Sequence, residues 1–326
     1  MECELVLACD KEKLFHKLYK LLYPSAQIES DVKNLSSKSL PRVDLLVLGP
    51  PCQPWSQEGE NLGDQDSRGA LLTSWVEHLE PMQVRAIALE SVRGLLSKKH
   101  IHNFENLCEL LEEKGFECAH RILDTADHGI PHRRPRLYLV AIHRSCGGIS
   151  QLEWPEALPH VLPISQVLER TNHRVENVSP ATSPSIMQRL KAMVQAIEVV
   201  GIDPSKVTCF IDVDASATRA SWSDEECPCL TRSRARTGGF YLTTHKRRMC
   251  TEEMSRLQGM SPSDLPWQRA GLSRTMFNGG LGNGMSVNVL HRLLPRVLQA
   301  AGLIEAADWT DKWMHPGYNP TKVLGT

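Results

Sequence analysis

Val43-Asp44-Leu45-Leu46-Val47-Leu48-Gly49-Pro50-Pro51-Cys52-Gln53-Pro54-Trp55-Ser56 joins an apolar run of strand length to a loop in which prolines flank a cysteine. Prolines on both sides restrict the backbone, and a loop at the carboxyl end of a sheet strand is where open α/β folds place their chemistry. Two readings of Cys52 stand at this point: a nucleophilic thiol in a stiffened loop, and a strand-terminating turn with a thiol in it by chance. Upstream, Leu5-Val6-Leu7-Ala8-Cys9-Asp10 reads as a short buried strand ending in an acid, followed by Leu14, Phe15, Leu18, Leu21 and Leu22 at helical spacing. Asp31-Val32 closes a second short segment, Leu45 to Leu48 forms a third, and Ala86 to Leu89 a fourth. Phe104, Leu107, Cys108 and Leu111 mark one face of a helix stopped by Gly115, which leads into an antiparallel pair over 116–123 and 137–142. Strands alternating with amphipathic helices predict an α/β fold with a doubly wound, Rossmann-like sheet.

Beyond Ser145 the alternation stops. Glycine and proline are scattered, Ser-Pro pairs occur over 179–185, and one helix stands alone with Ile186, Leu190, Met193 and Ile197 on a face, Ser183 as its cap and Pro184 in its first turn. A second, smaller and irregular domain is therefore expected over 148–276, after a first domain over 1–147. Val287, Leu290, Leu294 and Val297 restore a helical pattern in a segment placed at 277–310, with a kink expected at Pro295, and 311–326 is left as a tail.

With 41% hydrophobic residues in 326, the chain has the material for a sizeable core. No apolar run reaches the roughly 20 residues that span a bilayer, and Met1-Glu2-Cys3-Glu4 lacks the basic flank of a secretory signal, so a soluble intracellular protein is expected. The ten cysteines include no Cys-x-x-Cys pair, and the single-residue gap of Cys227-Pro228-Cys229 suits a zinc knuckle poorly; neither a disulfide framework nor a bound metal is expected. A net charge of −1 provides no global basic field. Contact with nucleic acid would have to come from local groups, of which two are visible: Arg232, Arg234 and Arg236 with Lys246, Arg247 and Arg248, and Arg133-Arg134 with Arg136. A solvated charged face is the alternative for both.

Four further stretches follow the cysteine loop in order: Ala88-Leu89-Glu90-Ser91-Val92, Gly129-Ile130-Pro131-His132-Arg133-Arg134-Pro135-Arg136-Leu137-Tyr138, Arg256-Leu257-Gln258-Gly259-Met260 and Gly282-Asn283-Gly284-Met285-Ser286-Val287. In this order, over about residues 4–302, the chain resembles the cytosine-5 DNA methyltransferase family. The resemblance implies S-adenosylmethionine as methyl donor, DNA as partner, a target-recognition role for the second domain and, for a eukaryotic source, a nuclear address. Cys52 would be the thiolate that adds to cytosine C6, and Glu90 would contact N3 and the exocyclic amine of a flipped base; a plain strand-end acid is the alternative for Glu90. Arg136 would bind the cytosine O2, with Arg134 supporting the loop, and both are expected on one side of an extended segment. Asp10 would take the ribose of the cofactor and Asp31 the adenine amine, with Gly49, Pro51, Gly282 and Asn283 around it; for Asp10 a helix cap is the alternative. Gln53, Ser56, Ser91, Arg232 and Arg234 are the candidate substrate contacts, although the Arg/Ser/Thr alternation at 231–234 also fits an exposed edge strand.

Two departures from the family's pattern carry expectations of their own. No glycine precedes Gly49, so the family's opening strand, glycine loop and helix have no counterpart, and this chain alone is expected to bind the cofactor weakly or not at all. Where the family has Glu-Asn-Val the chain has Glu90-Ser91-Val92, and a hydroxyl cannot replace both donor and acceptor of an amide. Two other functions therefore stand beside the DNA methyltransferase: a noncatalytic nucleic-acid-binding or regulatory relative, and an RNA-directed cytosine-5 methyltransferase.

Overall fold

The computed structural model describes residues 3–36, 39–55, 69–169, 183–216 and 218–319. It divides the chain into two compact units: the first comprises 1–124, 135–157 and 289–312, the second 125–134, 158–288 and 313–326.

The first unit is built on parallel and antiparallel strands with helices on both faces. Strand β1 (Leu7–Cys9) leads into α1 (Lys13–Leu22), whose apolar face is spaced as the sequence predicts and which gives way at Tyr23, ahead of Pro24. Strand β2 (Gln27–Glu29) then returns parallel to β1. Strand β3 (Leu45–Leu48) runs parallel to β4 (Ala86–Ser91), which the short helix α2 (Leu79–Met82) precedes. Helix α3 (Ile101–Glu113) ends at Gly115, whose φ of +88° suits a residue without a Cβ, and the chain enters β5 (Phe116–Asp124) and β6 (Pro135–His143). The four strands form a sheet in the order β3-β4-β6-β5, with β6 antiparallel to both its neighbours, while β1 and β2 form a separate two-stranded sheet.

Period-two alternation covers both faces of the larger sheet. Ile87 and Leu89 of β4 with Leu137, Leu139 and Ala141 of β6 pack with Phe104, Leu107 and Leu111 of α3. The intervening residues Ala86, Tyr138, Val140 and Ile142 pack with Val289, Leu293 and Val297. Those three lie on α8 (Val287–Ala300), a single helix that includes Pro295 and packs this face on the sheet; of the stripe expected from sequence, Val297 is in this buried cluster and Leu290 packs against it, while Val289 and Leu293 take the remaining places. All six residues of β4 are buried: the apolar run Ala86 to Leu89 suits a central strand, and Glu90 and Ser91 are carried into the interior at its end.

The second unit is irregular. Helix α4 (Pro184–Val199) begins as expected, with Ser183 Oγ accepting from the Ile186 amide, and packs Leu190 and Ile197 on Cys209, Ile211 and Val213. Short strands β7 (Phe210–Ile211), β8 (Trp222–Ser223), β9 (Tyr241–Leu242) and β10 (Arg247–Arg248) form an antiparallel sheet ordered β10-β9-β7-β8. The segment after Thr231 is helix α5 (Arg232–Arg236), not an edge strand: Thr231 Oγ1 accepts from the Arg234 amide and starts a turn. Helices α6 (Thr251–Leu257) and α7 (Arg274–Asn283) complete the unit.

Candidate active site

Sheet register brings three of the expected groups to one end of the first unit. Leu48 pairs with Leu89 in parallel register, so the loop that begins at Gly49 opens beside Glu90. Glu90 pairs with Tyr138 across the antiparallel ladder, and Arg136, two residues away on β6, shares its face. Arg136 Nε lies 3.3 Å from Glu90 Oε1, with both side chains largely buried at 14% and 10% exposure. The Arg136 guanidinium also donates to the Pro135 carbonyl at 2.9 Å.

The loop carrying Cys52 is fastened from below. The Trp55 amide donates to the Cys52 carbonyl at 3.0 Å, and the Trp55 ring is buried in the core, edge-on to His100 at 5.3 Å. Gly94, in the turn that follows β4, passes so close that a Cβ there would lie 2.0 Å from the Trp55 carbonyl oxygen. Trp55, Gly94 and His100 thus position the cysteine loop against the turn after Glu90, a role the sequence reading missed. The aromatic directly after a Pro-Cys-Gln-Pro turn was its one available signal. Cys52, Pro51 and Gln53 are half-buried, Gly49 is exposed, and Ser56 lies outside the described residues. Ser91 is buried, and its hydroxyl has no hydrogen-bond partner among the described residues.

Asp10 and Asp31 sit just past the carboxyl ends of β1 and β2. Asp10 accepts from the Glu12 amide at 2.8 Å and from Tyr19 Oη at 3.3 Å, and Asp31 caps a short turn through the Lys33 amide at 3.0 Å. The capping alternative is therefore real for Asp10, and the structure gives Asp31 a like role, yet each carboxylate keeps lone pairs for a further donor.

Arg134 and Arg136 do not share one strand side. Arg134 precedes β6 and belongs to the second unit, where it donates to the carbonyls of Leu230 (2.8 Å), Gly282 (3.1 Å) and Gly284 (2.8 Å). One always-charged, five-donor group thereby gathers three orphan carbonyls. Gly282 is constrained further, since a Cβ would lie 2.4 Å from the Thr231 carbonyl where α5 crosses α7; Asn283 beside it is exposed. Neutral His132 completes this scaffold: its Nδ1 lies 3.0 Å from the Leu257 carbonyl, and its Nε2 accepts from the Leu230 amide at 3.0 Å.

The basic group of the second unit is partly consumed internally. Arg234 pairs with Asp212 at 2.7 Å, Arg247 with Glu253 at 2.7 Å and Arg248 with Asp214 at 2.7 Å. Arg232, Arg236 and Lys246 are exposed. A cleft of about 490 Å³ lined by Glu80, Gln83, Arg85, Lys114 and His143 lies at the amino end of β4, away from Glu90, and is no part of this site. Among the described residues, no helix is long and apolar enough to cross a membrane, and no three His, Cys, Asp or Glu side chains gather as a metal site.

A sheet with helices on both faces, and a cysteine loop opening at the strand end that holds a buried Glu-Arg pair, make up a Rossmann-like architecture. Residues 1–299 match the model of the C-5 cytosine-specific DNA methylase family, and the chain belongs to that family of DNA-modifying enzymes. It is 29% identical over 152 residues to the Type II methyltransferase M.FnuDI of Fusobacterium nucleatum, a match covering 47% of this chain and 44% of that one. It is 27% identical over 292 residues to the Type II methyltransferase M.NgoBI of Neisseria gonorrhoeae, covering 88% and 84%. The first match thus spans less than half of its relative's length, the second most of it. The fold is that of the Entamoeba histolytica methyltransferase EhMeth, at a TM-score of 0.63 and 19% identity over 90% of this chain and 89% of that one.

Proposed function

We propose that this chain is a DNA (cytosine-5-)-methyltransferase that works through a covalent Cys52 adduct on a flipped cytosine. The observation that carries the reading is the convergence, at one sheet end, of the Cys52 loop with the Glu90–Arg136 pair. Carbon 5 of cytosine is a poor nucleophile. Addition of the Cys52 thiolate at C6 forms the S–C6 bond and moves the ring's electrons toward C5 and N3. Glu90 holds the N3 and amine edge, and Arg136 neutralises that carboxylate from the same face while reaching for O2. After methyl transfer, loss of the C5 proton and of the thiolate restores the aromatic ring. An ordinary thiol titrates near about 8.5, so the site must favour the anion or capture the adduct quickly. A target inside a duplex has to leave the stack, at about a few kcal/mol; the second unit, with exposed Arg232 and Arg236, is the surface we assign to the opened DNA.

S-adenosylmethionine, when bound, supplies the methyl group. Asp10 and Asp31 fit its adenosine half, because carboxylates at the carboxyl ends of adjacent parallel strands suit ribose hydroxyls and an amine. Gly49 and Pro51 would border it. The methionine carboxylate is less well served: Glu29 joins Asp10 and Asp31 at that end, and three acids repel a fourth. Gly282, held close to the Thr231 carbonyl, and Asn283 beside it are the late-motif candidates. The bacterial relatives give no support to a nuclear address, and none is proposed.

A noncatalytic role is the second reading, favoured by the unpartnered Ser91 hydroxyl where the family has an amide. DNA containing 5-fluorocytosine separates the two. With S-adenosylmethionine present, the enzyme is expected to form a denaturation-resistant complex that Cys52→Ala abolishes, whereas a binding protein gives shifted DNA and no covalent species.

A further inference from the structure

Away from the candidate active site, two cysteines that no step of the proposed reaction uses face each other across the turn at Gly115. Cys108 lies on α3 and Cys118 on β5; both are free, half-buried thiols, and both pack against the core cluster between that helix and the sheet. Their apposition follows from the way the chain turns back on itself. The Phe104 ring meets the His120 ring edge-on at 4.8 Å. One helical turn further along α3, about 6 Å, stands Cys108. Two residues back along β5, about 6.6 Å away and on the same face of the sheet, stands Cys118. Phe116, two residues further back, is buried with Leu111 in the same cluster, which continues the register.

The pair is one chemical unit. The Cys118 thiol donates a hydrogen bond to the Cys108 sulfur, and that bond holds Cys108 below the ordinary thiol range against the opposing push of burial and of Glu112, Glu105 and Glu109. Cys118, the donor, is pushed up, first by the same hydrogen bond and then by burial. Only a thiolate attacks a disulfide bond, so the two sulfurs have separate parts: Cys108 to attack and Cys118 to resolve. Deeply buried Cys227 and Cys250 make the contrast, since burial pushes both thiols up with no partner thiol to oppose it. Half-burial of Cys108 and Cys118 leaves the sulfurs open to a small reagent.

We infer that Cys108 and Cys118 form a reversible disulfide, a thiol-exchange site between α3 and β5 that takes small aliphatic disulfides as its oxidant. The Cys108 thiolate bonds to one sulfur of the reagent; the reagent's S–S bond breaks, and its other half leaves as a thiolate that takes up the proton lost from Cys108. Cys118, deprotonated in turn, attacks the Cys108 sulfur and expels the second half as a thiol. The two cysteines lose two electrons and two hydrogens, and the reagent is reduced to two thiols. The link ties α3 to the edge strand of the larger sheet, and α3 begins directly after His100, whose ring lies against Trp55 of the cysteine loop.

The test treats the full chain with cystamine, blocks the remaining thiols with N-ethylmaleimide and digests the product without reductant for mass spectrometry. The expected species is a peptide pair joined through Cys108 and Cys118, lighter by two hydrogens and separated again by dithiothreitol. Cys118→Ser is expected to stop at the first step, with cysteamine accumulating on Cys108. In Cys108→Ser, Cys118 is expected to take up cysteamine at least about tenfold more slowly than Cys108 does in Cys118→Ser. Exposed Cys3 reports in every sample that the reagent is active. Separate cysteamine or N-ethylmaleimide adducts on both cysteines of the parent, with Cys3 modified, overturn the site. A link from either of them to another cysteine overturns the pairing, and faster uptake at Cys118 than at Cys108 overturns the assigned order.

Discussion

At the scale of single residues, the site is decided by which polar groups are buried with a partner. Glu90 is carried into the interior by an all-buried strand and meets Arg136 there, so its charge is matched where an isolated carboxylate would be expensive. Ser91, one residue on, faces the opposite way and is 1% exposed with no hydrogen-bond partner among the described residues. An unsatisfied buried hydroxyl costs about 1–3 kcal/mol, so Ser91→Ala is expected to raise stability, by up to about 1 kcal/mol after the small void is counted. Urea denaturation measures it directly. The same variant is expected to trap 5-fluorocytosine DNA as well as the parent, because the hydroxyl makes no hydrogen bond among the described residues; a drop in stability would mean that it has a partner after all.

At the scale of elements, the close pass of Gly94 under Trp55 couples the turn after β4 to the cysteine loop. A Cβ 2.0 Å from the Trp55 carbonyl cannot be accommodated, so Gly94→Ala must push one of the two apart. Overpacking of this kind costs about 1–3 kcal/mol, and displacement of a reacting atom by about 1 Å is worth about a hundredfold in rate. We expect the trapping rate to fall about a hundredfold while the protein still unfolds cooperatively, with Gly317→Ala, which meets nothing within 4 Å, as the unchanged control. In the second unit, Asp214 accepts from both terminal nitrogens of Arg248, at 2.8 and 2.7 Å, and from Thr237 at 2.7 Å. Burial pushes its carboxyl up, but the Arg248 and Thr237 hydrogen bonds outweigh that and hold it below the ordinary range. A depressed folded value means the stabilisation is complete above the unfolded carboxylate pKa of about 4 and is lost as pH falls through the lower folded value. Thermal unfolding from pH 5 downward is therefore expected to show a steeper acid loss in the parent than in Asp214→Asn. These elements also mark what the sequence could convey. Helix α4 was legible from Ser183, Pro184 and its spaced apolar face, and β4 from its unbroken apolar run. Helix α5 was not, because Thr-Arg-Ser-Arg alternates like a strand and only the Thr231 cap and the glycines of α7 that admit it decide otherwise. The Cys52–Glu90 neighbourhood followed from strand-end positions, whereas the separate fates of Arg134 and Arg136 depended on contacts more than ninety residues away in sequence.

At the scale of the whole molecule, a net charge of −1 gives DNA no long-range attraction, so binding must rest on a few exposed cations. Charge count overstates their number. Arg234, Arg247 and Arg248 pair with Asp212, Glu253 and Asp214, and Arg232 and Arg236 are the exposed arginines of α5. Each phosphate neutralised adds about 0.9 to the slope of log affinity against log salt. Replacing Arg232 and Arg236 together by alanine is expected to lower that slope by about 2. Arg234→Ala is expected to do the reverse: the slope stays, and stability falls because Asp212, only 15% exposed, loses its partner. Binding isotherms at four or five salt concentrations for the three proteins decide the matter. An unchanged slope in the double variant removes α5 from the DNA face, and a reduced slope in Arg234→Ala shows that its pair with Asp212 opens when DNA arrives.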